Sequence, residues 1–282
     1  MLRGCLDAIA AQAFDNERFE VVVVNNGSTD GTAALVEAES RRGRFTLVRV
    51  DEPEPGLSVA RNRGAEQAKG GVLIFLDDDA VVETNWLAAY DAQYALNPQA
   101  VVQGRIIPRF EGGRPAWIGE ELLARYGLLD EGNEADILKG NLHGGNFSVP
   151  AGIFRQLGGF REDLGAGRIG FGEDSDFCAR ARSAGFSIRY EPDALMFHMI
   201  SSERATRREL LRRCYRSGRS QAMFDRRDES RLRTLCYILR VGLMTGLSMC
   251  ATRRAMDRMT KAADFAERLG RAVHIMKGRR NA

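Results

Sequence analysis

The sequence predicts an α/β fold of the doubly wound type, a mostly parallel sheet flanked by helices. Three observations predict it. Phe19 to Val24 and Val72 to Leu76 are short, continuous apolar runs rich in Val, Ile, Leu and Phe, the pattern of strands buried on both faces. Each run stops at a polar turn, Asn25 to Gly31 and Asp77 to Asp79. Between the two runs strand and helix patterns alternate, as in sheets with helical crossovers.

The elements follow in order. Leu2 to Phe14 reads as an amphipathic helix; Arg3 and Asp7 within it are not the pattern of a signal peptide. Past the first strand a helix runs from about Thr32 to Arg41, with Ala34, Leu35 and Ala38 on one face. Phe45 to Val50 is a weaker strand that ends at Asp51. The Pro-Gly loop 53–56 leads to a helix around Ser58 to Lys69 and then to the second buried strand. Residues 100 to 170 are less regular and Gly-rich. Asp174 to Ala184 reads as a helix stopped by Gly185, and Phe186 to Phe197 as a strand pair broken at Pro192-Asp193 and reaching His198. Arg-rich helices follow from Ala205. Leu235 to Met249 is apolar but interrupted by Arg240. It is too short to span a bilayer and suits a membrane interface or a core helix.

At 282 residues and 44% hydrophobic content the chain can bury a real core, which excludes wholesale disorder. Five cysteines without C-x-x-C spacing read as buried thiols rather than a disulfide frame or zinc site. The net charge of +3 conceals an asymmetry. Residues 203–282 carry 21 Lys+Arg against 8 Asp+Glu, whereas residues 1–202 carry 20 against 30. This divides the chain into a catalytic-looking domain, 1–202, and a basic helical extension, 203–282. Such an extension points to an anionic partner or to a solvated helical surface. It lacks aromatic interleaving and any nucleic-acid motif, so nucleic acid is not expected as a partner.

Three constellations carry chemistry. In an extended segment Asp77 and Asp79 face one side and Asp78 the other, and three adjacent carboxylates repel unless a cation neutralises them. Hard ions such as Mg²⁺ or Mn²⁺ take one or two carboxylates and complete their shell with phosphate oxygens and water. At the start of the helix after Gly172, Glu173 and Asp174 are favoured by the helix dipole alone, and either could also accept a proton from a hydroxyl. His198, at the end of an apolar strand, is either a hydrogen-bonded core residue or a ligand.

The ordered segments VVVVNNGSTDGT (21–32), GLSVARNRGAEQAKGGVLIFLDDD (56–79), GGNFSVP (144–150), LGGF (157–160) and GEDSDFCARARSAGF (172–186) resemble the family 2 glycosyltransferases of the GT-A fold. The resemblance covers about residues 2 to 200. It implies transfer from a nucleotide-diphospho-sugar with inversion, with a divalent cation, Mn²⁺ or Mg²⁺, on the diphosphate. Asp79 is then the metal ligand, Asp77 or Asp78 contacts ribose or metal, and His198 stands near metal and diphosphate. Asn25, where the family usually has an aspartate, faces the base, with Asn26, Ser28 and Asp30 in the same nucleotide-binding turn. Arg61 resembles the family's basic contact to the nucleotide. Gly144 and Gly145 line the donor-sugar pocket, and Asp174, with Glu173 beside it, is the base. Asparagine at 25 leaves the choice among UDP, GDP and dTDP donors open.

The resemblance further implies an apolar strand and a turn ahead of the Leu2 to Phe14 helix. Since the chain starts inside that helix, a misassigned start or a truncated chain is expected. No Gln-x-x-Arg-Trp element of processive synthases is present, which favours single-sugar transfer to a glycan or lipid-linked acceptor in cell-surface glycan synthesis. The expected setting is the cytoplasm, with the basic helices on the inner face of the membrane. The competing reading is a degenerate, non-catalytic nucleotide-sugar-binding module. A nucleotidyltransferase is disfavoured because no Gly-rich loop with Arg and Lys follows the first strand.

Overall fold

The computed structural model describes residues 1–168, 170–224 and 255–278. They form two compact units. The first comprises Met1–Pro108, Leu129–Arg168 and Glu173–Met199.

In that unit helix α1 (Leu2–Ala10) buries Cys5, Leu6 and Ile9 as an apolar stripe, while Arg3, Gly4 and Asp7 are exposed. Strand β1 (Glu20–Asn25) follows, then α2 (Thr32–Arg42), which Gly43 ends in the left-handed conformation that glycine adopts without steric cost. Strand β2 (Thr46–Asp51) pairs in parallel with β1, placing Asn25 opposite Asp51. Helix α3 (Leu57–Gln67) leads to β3 (Val72–Leu76), which occupies the second predicted run residue for residue.

Beyond the aspartate triplet come β4 (Ala80–Val82), α4 (Trp86–Leu96), β5 (Val101–Phe110), the short helix α5 (Glu120–Leu123), β6 (Asp136–Ile137), β7 (Asn146–Pro150), α6 (Ala151–Gln156), α7 (Glu173–Ser183) and β8 (Ile188–Ile200). One sheet has the order β3-β7-β5-β8-β4, with β6 also on β8; β1 and β2 form a separate two-stranded sheet. The α/β class holds, with helices against a central sheet. β1 and β2 pair in parallel, whereas the ladders of β3 with β7, β4 with β8, β5 with β7 and β6 with β8 are antiparallel. An apolar run identifies a buried strand but says nothing of its partner's direction.

The expected break at Pro192 is absent. β8 is one strand of 13 residues. Pro192 falls between the stretch paired with β6 at Arg189–Tyr190 and the stretch paired with β4 at Met196–His198, so its missing N–H interrupts neither ladder. An aromatic cluster of Phe75, Phe147, Phe154, Phe160 and Phe177 fills the core behind β3 and β7.

The second unit takes Arg109–Leu128, a short piece 170–172, and residues from Ile200 onward. Its helices α8 (Arg207–Phe224) and α9 (Ala255–Gly278) pack closely. A Cβ on Gly218 would lie 1.7 Å from the carbonyl oxygen of Glu267, and one on Gly270 would lie 1.9 Å from that of Tyr215, so the two glycines allow the approach. Arg125 bridges Asp264 and Glu267 on α9. Arg208, Arg212, Arg216 and Arg219 recur at three- and four-residue spacing on α8 and are exposed. No described helix is long and apolar enough to cross a membrane. The Leu235 to Met249 stretch lies outside the described residues, as do Cys236 and Cys250. Cys5, Cys178 and Cys214 are buried free thiols, as expected.

Candidate active site

The site is built at the carboxyl end of β3, where the chain leaves the sheet as Asp77-Asp78-Asp79. Helix α3 delivers Arg61 to this point. The guanidinium is nearly buried, 9% exposed, and divides between two carboxylates: Nη2 donates to Asp77 Oδ1 at 2.9 Å and Nη1 to Glu173 Oε1 at 2.9 Å. A buried arginine requires such partners, because an unpaired charge in the interior is costly. Burial, and then the charge of neighbouring Asp174, push the Glu173 carboxyl above its ordinary range; Arg61 opposes the rise.

Asp174 is the next residue, in the first turn of α7. Its Oδ2 accepts the Gly144 backbone N–H at 3.1 Å, and its Oδ1 that of Ser175 at 2.7 Å. Gly144 and Gly145 stand where the backbone passes the charged side chains. A Cβ on Gly144 would lie 2.6 Å from Arg61 Nη1, and one on Gly145 would lie 2.6 Å from Asp77 Oδ2. Asp77, Arg61, Glu173, Asp174, Gly144 and Gly145 are thus one cluster, assembled from three distant stretches of the chain.

Asp79 and His198 form a second pair. The β4–β8 register sets Ala80 opposite His198, and the Met199 N–H donates to the Asp79 carbonyl at 2.8 Å. The imidazole Nε2 comes 3.3 Å from Asp79 Oδ2, both side chains being largely buried. Asp78 has its carboxyl raised by desolvation and then by the charges of Asp79 and Asp77. The same negative field reaches Cys5, whose Sγ lies 3.7 Å from the Asp77 carbonyl oxygen. Burial first, then Asp78, Asp77 and Asp79, push its thiol up to about 12.

Among the described residues no three or more His, Cys, Asp or Glu are grouped so as to hold a metal ion by themselves. Two side-chain ligands with open positions is nevertheless what a cation shared with phosphate oxygens needs. The Asp79–His198 pair beside two further carboxylates therefore fits a divalent ion.

The Asn-Asn-Gly-Ser turn lies at the end of β1. The Asn25 amide donates to Asp51 Oδ1 at 2.8 Å and its carbonyl accepts the Ser28 N–H at 3.3 Å. Asn26 latches the 52–56 loop, donating to the Glu52 and Glu54 carbonyls and accepting the Gly56 N–H. Asp30 accepts from the Thr32 N–H and hydroxyl. Asp51 joins this turn through strand pairing. Its place at a strand's carboxyl end was its sequence signal, and the parallel register with β1 supplied the rest.

The family model described as Glycosyl transferase family 2 matches residues 1–158, more than half of the chain. The chain belongs to glycosyl transferase family 2. As a member it is a glycosyltransferase, and its relatives act in glycan and polysaccharide biosynthesis. It is 28% identical over 253 residues to the succinoglycan biosynthesis protein ExoM of Rhizobium meliloti, covering 84% of this chain and 74% of that one. It is 26% identical over 227 residues to the glucosyl-dolichyl phosphate glucuronosyltransferase of Haloferax volcanii, covering 78% and 71%. Among solved structures, the mannosyltransferase PcManGT of Pyrobaculum calidifontis, in complex with GDP-Man and Mn²⁺, matches with a TM-score of 0.58 at 19% identity. That match covers all of this chain and 71% of that one. The likeness to solved glycosyltransferases shows that this family 2 member has their GT-A fold.

Proposed function

We propose that this family 2 glycosyltransferase moves one sugar from a nucleotide-diphospho-sugar to an acceptor hydroxyl, inverting the anomeric carbon. The observation that carries the reading is the bridge from Asp77 through Arg61 to Glu173, with Asp174 held on the Gly144 amide beside it. In this reading Asp174 takes the proton from the acceptor hydroxyl, whose oxygen attacks the anomeric carbon opposite the leaving diphosphate. Glu173, turned toward Arg61, orients the first turn of α7 rather than accepting the proton. Asp79 and His198, with Asp77, hold a divalent cation, Mn²⁺ or Mg²⁺. When bound, that cation offsets the charge growing on the diphosphate. Asp77 or Asp78 takes the ribose, Gly144 and Gly145 border the donor sugar, and Asn25, oriented by Asp51, meets the base with Asn26, Ser28 and Asp30 shaping the turn. The GDP-Man and Mn²⁺ in the archaeal mannosyltransferase support a donor of this class.

Thermal shifts test the donor site. UDP, GDP and dTDP are each added with and without Mn²⁺ to the chain and to Asp79→Ala. One nucleotide is expected to raise the midpoint only with metal, through about 2.7 kcal/mol of added stability at a hundred times its Kd, and to lose that effect in the variant. A shift that ignores metal, or that survives Asp79→Ala, would overturn this assignment.

The dolichyl phosphate in the name of one relative supports a lipid-linked glycan as acceptor. The exposed arginine stripe on α8 supports work at the cytoplasmic face of an anionic membrane. Vesicles containing anionic lipid are expected to sediment more of the protein than neutral ones, at about 1 kcal/mol per engaged arginine; equal binding to both counts against the membrane role.

A further inference from the structure

The turn 143–146 touches both acidic parts of the site. It closes on itself where the Asn146 N–H donates to the His143 carbonyl at 3.3 Å. The Gly145 carbonyl accepts the Asp77 N–H at 3.4 Å, and the Gly144 N–H donates to Asp174 Oδ2 at 3.1 Å. One short turn thus spans the acidic end of β3 and the first turn of α7. A shift of the turn would shift the hold on the Asp174 carboxylate.

The turn is itself held by a side chain from another strand. Gln103, on β5, is fully buried. Its Oε1 accepts the His143 N–H at 2.7 Å and its Nε2 donates to the Asn146 carbonyl at 2.8 Å, one bond at each end of the turn. Nε2 also donates to the Gly104 carbonyl at 2.9 Å. The β5–β7 ladder sets Val102 opposite Ser148 and Gln103 opposite Phe147. Past Phe147 the Gln103 side chain bonds the backbone of the turn. Burying an amide is costly unless its polar atoms are bonded, and this one is bonded at both oxygen and nitrogen. Methionine would fill much the same space without that cost, but it could not grip the turn.

We propose that Gln103 is a positioning residue for the transfer: its amide clamps both ends of the 143–146 turn and, through the Gly144 N–H, sets the place of the Asp174 carboxylate. This role rests on the reading of Asp174 as the base. The path from Gln103 runs through His143 and Gly144 to Asp174, each step a hydrogen bond or a peptide bond. Arg61 ties Glu173, the neighbouring residue, from the other side, so the start of α7 is located at two points.

The test is a double-mutant cycle on the full chain. Gln103→Met is made in the parent and in Asp174→Asn, and kcat is read as nucleoside diphosphate released from UDP-glucose, GDP-mannose and dTDP-glucose with Mn²⁺, water serving as acceptor. Val102→Ala is the control for lost stability: it is the preceding residue of β5, fully buried, on the opposite face of the strand. Gln103→Asn, an amide one methylene too short to reach both ends of the turn, carries the cycle if the Met variant does not fold. In the parent, loss of the clamp is expected to lower kcat by about tenfold to a hundredfold, the scale of an ångström of misplacement. In Asp174→Asn the same change is expected to cost less than about twofold, because residues that act through one group are not additive. Nucleotide affinity, read by the metal-dependent thermal shift, is expected to stay within about twofold, since Asn25, Asp79 and His198 lie off the turn. Exchange of the Gly144 amide is expected to quicken by about tenfold or more in the Gln103 variants and not in Val102→Ala. Equal losses of kcat on the two backgrounds, an equal loss in Val102→Ala, nucleotide affinity falling in step with kcat, or an unchanged Gly144 amide each overturn the proposal and leave the base reading standing. An undiminished kcat in Asp174→Asn overturns the base reading, and this role falls with it.

Discussion

Replacing Asp174 with Asn is expected to lower kcat by about 10²- to 10⁴-fold, the usual contribution of a positioned general base. The change is nearly isosteric. The amide oxygen of Asn can still accept the Gly144 N–H that Asp174 now holds at 3.1 Å, so the first turn of α7 keeps its place. What is lost is the ability to take a proton. Nucleotide binding, read by the metal-dependent thermal shift, should stay within about twofold of the parent, because an interaction used only in the transition state leaves ground-state affinity unchanged. Glu173→Gln is the companion variant. It weakens one arm of the Arg61 bridge but spares the base, so a smaller loss is expected. An unchanged kcat in Asp174→Asn would place the base elsewhere. If Glu173→Gln lost more activity than Asp174→Asn, the two carboxylates would have to exchange roles.

The two halves of this prediction were unequally legible in the sequence. Asp77 to Asp79 stood out because a buried strand ended there, and in α/β sheets the carboxyl ends of strands are where ligands collect. Glu173 and Asp174 stood out less, since acids at a helix start are explained by the dipole alone. Nothing local joined the two. The joining residue is Arg61, which is 16 positions from Asp77 and 112 from Glu173. The resemblance marked Arg61 as a nucleotide contact. The geometry adds that it is the tie between the acidic strand end and the helix that carries Asp174. The Asp79–His198 pair depended likewise on the β4–β8 register, for a lone histidine after an apolar run is as good a core residue as a ligand.

The fold divides along the same line. β3 was legible to the residue because its apolar run is bounded by Gly70-Gly71 and by the aspartates. β5, ten residues long, was not, because Gly104 and Pro108 interrupt its pattern and both are poor strand residues. The reason for Gly104 is a packing constraint visible only in three dimensions. A Cβ there would lie 2.4 Å from Asn146 Nδ2, 2.4 Å from the Ala194 carbonyl oxygen and 2.7 Å from the Tyr90 hydroxyl. The glycine that hides the strand makes room for a buried polar group at the centre of the sheet.

That group is Asn146, the first residue of β7, and replacing it with Leu is expected to cost about 4 kcal/mol or more of stability. Its side chain is fully buried and every hydrogen-bonding position is used. Oδ1 accepts from Trp86 Nε1 at 2.8 Å and from the Tyr90 hydroxyl at 3.0 Å; Nδ2 donates to the Arg105 and Ala194 carbonyls, each at 2.9 Å. One amide therefore ties α4, β5, β7 and β8 together. Leucine has similar volume, so the loss would come from the partners rather than from a void. The Trp86 indole N–H and two backbone carbonyls would be left buried and unpaired, at about 1–3 kcal/mol each. Tyr90 retains the Asn146 backbone carbonyl at 3.2 Å, so its share is smaller. Trp86→Phe, which removes a single donor and leaves Asn146 bonded to Tyr90, is expected to cost about 1 kcal/mol for the lost bond plus a small packing loss. Urea unfolding followed by circular dichroism measures both. A cost for Asn146→Leu no larger than that for Trp86→Phe would mean that the sheet can relax to satisfy the freed carbonyls, and that the amide is not the tie between its strands.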